Sequence, residues 1–133
     1  MKKISKILFF FLILLFSSSL FAQAPHFQWS ALYGGAEDDY AFDIEVLADG
    51  YLIAGHTKSF GNANGKYHIW LVRTDEMGNI LWTKTYGGSL DESVLSVSQA
   101  HDGGFILCGH TSSWGQGLSD GYFVRIDRHG DTL

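Results

Sequence analysis

Carboxylates stand at two places where side chains of this type do chemistry. Asp38 and Asp39 follow the pair Gly34-Gly35, and Asp91 and Glu92 follow Gly87-Gly88. Grouped carboxyls of this kind serve as acceptors for loop N–H groups, as calcium ligands, or as the acid pair of a glycosidase. Calcium takes about six to eight oxygens, commonly from an Asp-x-Asp-x-Asp-Gly run that the sequence lacks. Nothing in the chain sets two carboxyls across a cleft, so the expectation is that these groups hold turns. His56 and His110 each sit in a Gly-His-Thr triplet, without a carboxylate or second histidine at ligand spacing. They are expected to pack or to bond a turn at a strand end, with His26, His68, His101 and His129 scattered and exposed. Gly117-Leu118-Ser119-Asp120-Gly121 matches the G-x-S-x-G nucleophile pattern, which works on a strand-to-helix elbow. Here it opens a strand, and only His129 lies downstream. No catalytic residue, metal or cofactor is therefore expected. The candidate ligand contacts are Trp114, in a loop where its ring can stack on a sugar, and Asn62 and Asn64, in a loop that occurs once.

These residues recur with the segments that carry them. Trp29 matches Trp82, Tyr33-Gly34-Gly35 matches Tyr86-Gly87-Gly88 and Asp49-Gly50 matches Asp102-Gly103, all 53 positions apart. Gly104 is an insertion, after which Gly55-His56-Thr57 matches Gly109-His110-Thr111. A deletion in the following loop then aligns Val72-Arg73 with Val124-Arg125, Asp75 with Asp127 and Gly78 with Gly130. The length changes fall in Gly-rich loops and leave the apolar segments intact, as expected for two copies of one unit. A feature in both copies is most simply structural, and a feature in one copy is a candidate for function. Phe60 matches Trp114 and Trp70 matches Tyr122, so these aromatics are expected to pack; Cys108 is expected to fill the core position that Ala54 holds.

Within each copy the periods are those of strands. Phe42 to Val46 and Leu95 to Ser98 alternate apolar and polar, which predicts one buried face. Tyr51 to Ala54, Phe105 to Cys108, Ile69 to Val72 and Tyr122 to Val124 are continuously apolar, which predicts cover on both faces. Ile80 to Tyr86 completes a fourth strand. Asp49-Gly50 reads as a tight hairpin, and Asp75 to Asn79 as a longer one with a left-handed glycine. No window after residue 22 sustains a helical period. The expected fold is all-β: tandem four-stranded antiparallel meanders.

The strings Tyr33-Gly34-Gly35 with Asp39, Asp49-Gly50-Tyr51-Leu52-Ile53-Ala54-Gly55-His56-Thr57 with Ser59 and Gly61, and Val72-Arg73 with Asp75, Gly78-Asn79 and Trp82 resemble a β-propeller-type repeat. They are similar to repeats in long exported proteins of Bacteroidota-type bacteria, many known only as hypothetical proteins or lipoproteins. The resemblance spans roughly residues 27–133. It implies propeller blades, about 27–82 and 83–133, and a sorting domain for type IX secretion at the end of a longer chain. Family members carry many repeats; this chain carries two and no sorting domain. The second unit reaches Leu133 one position before the counterpart of Trp82. The chain is therefore expected to be the N-terminal part of a longer protein, an incomplete propeller. The alternatives are a two-unit protein that assembles into rings and a small sandwich.

Composition sets the compartment and excludes partners. The 133 residues are 46% hydrophobic and 15% aromatic, too apolar for a disordered chain. Lys2, Lys3 and Lys6 precede the apolar run Ile7 to Phe16, the layout of a signal peptide with a cut after Ala22. Removing residues 1–22 takes three basic residues and no acidic one, so the net charge moves from −5 to −8. That balance opposes a nucleic-acid partner, and the apolar run is too short to span a membrane. The sole cysteine, Cys108, has no internal partner, so packing must hold the exported domain. The expected product lies in the periplasm, on the cell surface or outside the cell. It is expected to act as a non-catalytic scaffold or binding module for a protein or glycan, with neighbouring blades or further copies of itself as partners. The alternative is the repeat portion of a secreted carbohydrate-active enzyme whose catalytic residues lie beyond Leu133.

Overall fold

A computed structural model describes residues 29–61 and 64–133. The leader expected over residues 1–22, His26 and Asn62 lie outside the described residues. Seven strands follow one another: β1 (Asp39–Leu47), β2 (Gly50–Thr57), β3 (His68–Thr74), β4 (Ile80–Tyr86), β5 (Glu92–Gln99), β6 (Phe105–Thr111) and β7 (Asp120–Ile126). They form two antiparallel sheets, in the orders β1-β2-β3-β4 and β5-β6-β7. No helix occurs among the described residues. The first sheet has the four strands expected, and the second, expected to be cut in the opening residues of its fourth strand, has three. There Thr132 meets Ile126 in an isolated bridge, at the place where Ile80 pairs with Thr74 in the first sheet.

The strands break where the two copies predict and differ in detail. Both inner strands carry a bulge at the same position, between Ala41 and Asp43 and between Val94 and Ser96. The first hairpin turns through Ala48 and Asp49, so Gly50 opens β2 instead of standing in the turn. Gly50 has φ 138°, and a Cβ there would collide with the Thr74 carbonyl oxygen, so only glycine fits. In the second copy the inserted residue lengthens the turn, and Gly103, at φ 83°, bonds back to the Ala100 carbonyl.

The sheets pack face to face. Leu52, Ala54, Ile69 and Leu71 of the first meet Val94, Val97, Phe105, Leu107, Val124 and Ile126 of the second, with Trp82 and Tyr86 against the same core. β5 contacts β1, β2 and β3. The alternation in β1 is inverted relative to the expectation. Asp43 and Glu45 point toward the second sheet and accept hydrogen bonds from Val97 N–H at 2.8 Å and Gln99 N–H at 3.1 Å. Ile44 and Val46 therefore lie on the outer face and are exposed. The carboxylates prefer this side because the backbone N–H groups of β5 there need acceptors.

Residues 29–33 treat the first sheet as β4 treats the second. Tyr33 donates its hydroxyl to the Gly78 carbonyl and Tyr86 donates to Gly130, each at 2.7 Å. Trp29 lies against Gly78 as Trp82 lies against Gly130. This segment helps to cover Trp70 and Val72, so β3 is buried on both faces as expected. Among the described residues nothing comparable covers the outer face of the second sheet. Ile106, Cys108 and Phe123 are exposed there, which corrects the expectation of two-sided cover for β6 and β7 and the core placement of Cys108. The sequence period of those strands anticipated a layer that is absent among the described residues. His68 is also corrected: it is buried, packed against Gly87 and Gly61, whereas His101 and His129 are exposed.

Candidate functional site

The paired carboxylates hold turns, and the second of each pair bonds the matching Gly-Gly and Thr positions in both copies. Asp39 accepts from Gly35 N–H at 2.7 Å, from Ser59 Oγ at 2.7 Å and from Thr57 Oγ1. Glu92, its counterpart, accepts from Gly88 N–H at 2.8 Å and Thr111 Oγ1 at 3.0 Å. Partial burial works against the charge on Asp39. The bonds from Thr57, Gly35 and Ser59 outweigh it, so the carboxyl lies below its usual range. Asp91 accepts from Tyr67 N–H at 2.8 Å, and Asp38 forms a loose pair with Lys58 at 3.6 Å.

Two further constellations recur. Arg73 spans the first hairpin, reaching Asp49 at 2.5 Å and the carbonyls of Tyr51 and Thr74. Arg125 repeats this with Asp102 at 2.5 Å and the carbonyls of Phe105 and Ile126. The hydrogen bonds from Arg125 hold the Asp102 carboxyl below its usual range. Asp75 accepts from Met77 and Asn79 N–H, and Asp127 from His129 and Asp131 N–H, around Gly78 and Gly130, both at φ 82°. These sets bond turns and hairpins in both copies, and no buried side-chain polar atom among the described residues lacks a partner.

The structure scatters the ligand contacts expected from sequence. Trp114 is 49% exposed, its ring 5.3 Å from Tyr122 and packed over Gly88. Phe60 does the same over Gly35, 5.2 Å from Trp70, so half of Trp114 serves the repeat and the other half faces solvent. Asn64 is exposed and left-handed, with φ 44°. Ser119 of the G-x-S-x-G match is exposed ahead of β7, with no elbow beneath it.

One cluster belongs to the first copy alone. Around His56 gather Tyr67 at 4.2 Å, Phe42 at 4.7 Å and Tyr40 at 5.2 Å between ring centroids. Lys58 Nζ lies 4.3 Å over the Tyr67 ring, a cation–π contact. His56 Nδ1 is 2.9 Å from Ser93 Oγ, which ties the cluster to the second sheet. Burial, and then the charge of nearby His110, push the His56 imidazole below its ordinary pKa. Tyr40 and Phe42 are each 48% exposed. Half-open rings beside an ammonium and the Asp38 carboxylate can stack on the apolar face of a sugar and bond its hydroxyls. The counterparts of Tyr40, Phe42, Lys58 and Tyr67 are Ser93, Leu95, Ser112 and Ser119. Subtracting one copy from the other would have found this cluster, which inspection for catalytic spacing missed.

Among the described residues no three His, Cys, Asp or Glu side chains converge, and no helix is long and apolar enough to cross a membrane. The chain matches no family model and no curated protein.

Proposed function

We propose that the chain is an exported, non-catalytic segment of β-propeller-type repeats that acts as a scaffold and binding module. Residues 1–22 act as the leader, and the product is periplasmic, on the cell surface or extracellular. The observation that carries this reading is the duplication of the polar networks. Asp39 and Glu92, Arg73 and Arg125, and Asp75 and Asp127 are spent on equivalent turns, which leaves them no role in turnover. The unduplicated group is aromatic and basic, the composition of a binding surface. A glycan suits it best, with Phe42 and Tyr67 as stacking rings and Lys58 and Asp38 as polar partners; the exposed half of Trp114 is a second contact.

Affinity electrophoresis through gels of soluble plant and microbial polysaccharides tests this reading. The protein is expected to be retarded by at least one polysaccharide, and Phe42→Ala to weaken that binding about tenfold while leaving the melting temperature within a few degrees. Full mobility in every gel removes the glycan and leaves a protein as the ligand. Turnover of any polysaccharide by the purified protein refutes the non-catalytic reading.

A further inference from the structure

The β1–β2 hairpin closes the end of the first sheet that lies opposite the Tyr40–His56 pair. An open pocket of about 390 Å³ lies there, and its lining includes Trp29, Val46, Tyr51, Glu76 and Met77. That volume is within the range of about 300–1,000 Å³ common to small-molecule sites. The rings of Trp29 and Tyr51 meet edge to face, at 64° with centroids 5.7 Å apart, so they make a corner instead of a flat stack. Val46 and Met77 add exposed apolar side chains to it.

The charge around this corner has one sign. A shallower cleft of about 330 Å³, with Asp49, Asp75, Glu76 and Met77 in its lining, shares the last two residues with the pocket. Among the described residues no lysine, arginine or histidine lines either space. The Arg73 guanidinium is engaged by Asp49 and by the carbonyls of Tyr51 and Thr74. Asp75 is engaged too, by Asn79 and by the Met77 N–H. None of the ion pairs among the described residues uses Glu76, whose side chain is exposed. The pocket therefore offers two rings, a thioether and a carboxylate without a counter-ion.

The second copy keeps the scaffold and loses these features. Trp82 lies on Gly130 as Trp29 lies on Gly78. The counterpart of Tyr51 is Phe105, which is buried in the core, whereas Tyr51 is only half-buried. The counterparts of Glu76 and Met77 are Arg128 and His129, and Arg128 Nε donates to His129 Nε2 at 3.1 Å. The turn itself needs neither sign of charge here, since Asp75 and Asp127 hold the two loops through equivalent N–H groups. The open acidic corner belongs to one copy, and the needs of the repeat do not account for it.

We propose that this pocket binds a small quaternary ammonium group, as in choline, at a site separate from the aromatic cluster around His56. Electron-rich ring faces attract such a cation when it lies within about 6 Å of a ring centroid. Its methyl groups pack on Val46 and on the polarizable sulfur of Met77. Glu76 supplies the opposite charge. An anion is repelled by Glu76, Asp49 and Asp75, and a neutral group of the same shape gains the packing alone. A free solute and the headgroup of a choline lipid both present this chemistry.

NMR titration of the protein with choline tests the site, read at the Trp29 indole N–H and the Met77 methyl. Trp29→Phe and Met77→Leu identify the two signals. Both are expected to shift and saturate together, with a dissociation constant of about 1 mM. The uncharged isostere 3,3-dimethyl-1-butanol is expected to bind at least about tenfold more weakly. Glu76→Gln is expected to weaken choline about fivefold, and Glu76→Arg, which installs the charge of the second copy, to abolish binding. Glu76 is exposed, so an unchanged melting temperature in both variants shows that the fold is intact. Co-sedimentation with phosphatidylcholine vesicles places the ammonium on a lipid, and binding of choline without co-sedimentation places it on a free solute; either result supports the site. Absence of a saturable shift at Trp29 and Met77 overturns the proposal. So does equal binding of the alcohol, or an undiminished affinity in Glu76→Gln.

Discussion

β3 and β7 are the same strand in two copies of the repeat, yet every residue of β3 is buried and β7 alternates between exposed and covered. Leu71 has no accessible surface and Phe123 keeps most of its own. Both strands follow a Gly-rich loop, carry Val-Arg and end in an Asp-capped turn. Local sequence therefore makes the strand, and the number of layers around it makes the burial. The first sheet lies between the second sheet and residues 29–33, whereas among the described residues the second has a partner on one side.

Substitution of matched residues breaks or sharpens that comparison most directly. Leu71→Ala is expected to lower unfolding stability by about 3 kcal/mol, because it opens a cavity between two layers. Phe123→Ala, at a concentration where the chain is monomeric, is expected to change it by less than about 0.5 kcal/mol. Chemical denaturation of the two variants side by side measures both. Equal losses would show that the outer face of the second sheet is covered in solution.

The turn carboxylates offer a second matched pair. Glu92 is fully buried with two bonded donors, and Asp39 is partly open with three. Replacing a carboxylate oxygen with an amide turns one acceptor toward a donor. Glu92→Gln is expected to cost about 2 kcal/mol and Asp39→Asn about 1 kcal/mol, read from denaturation midpoints. The depressed Asp39 carboxyl adds a pH test with a definite sign. Its contribution is present above the unfolded value of about 4 and is lost as pH falls through the folded one. The acid limb of the stability curve should therefore flatten in Asp39→Asn.

Most of the fold was legible because strands, turns and the repeat are written locally. The Gly-Gly carboxylate turns, the Asp75 and Asp127 loops and the seven strands read from the residues stand where the residues put them. Misreadings share one cause: facing is a tertiary property. Asp43 and Glu45 looked like the wet side of β1, but the N–H groups of β5 draw them inward. Phe105 to Cys108 looked covered on both faces, and one cover is missing. Most members of the aromatic cluster stand out in sequence as differences between the copies, but their convergence does not. Tyr40, Phe42, His56 and Tyr67 come from three segments of the chain, and only strand pairing brings them within a ring's width of one another.

The smallest effects separate the two tyrosine latches. Tyr86 lies deep at the junction of the sheets, and burial, followed by the charges of Asp131 and Asp127, pushes its phenol well above the usual range. Tyr33 makes the same bond over the more open face and is shifted upward mainly by burial, then by Asp75. Tyr86→Phe is expected to cost about 1 kcal/mol and Tyr33→Phe about 0.5 kcal/mol. For a phenol with a raised folded value, the stabilisation is present below the unfolded value of about 10 and fades as pH rises toward the folded one. Stability of the unchanged protein should therefore fall in alkali, and the fall should shrink in Tyr86→Phe and less in Tyr33→Phe. Equal alkaline slopes in the two variants would mean that residues 29–33 are held as tightly as β4, so that the outer face of the first sheet is already closed in the single chain and only the second sheet has a face left to fill.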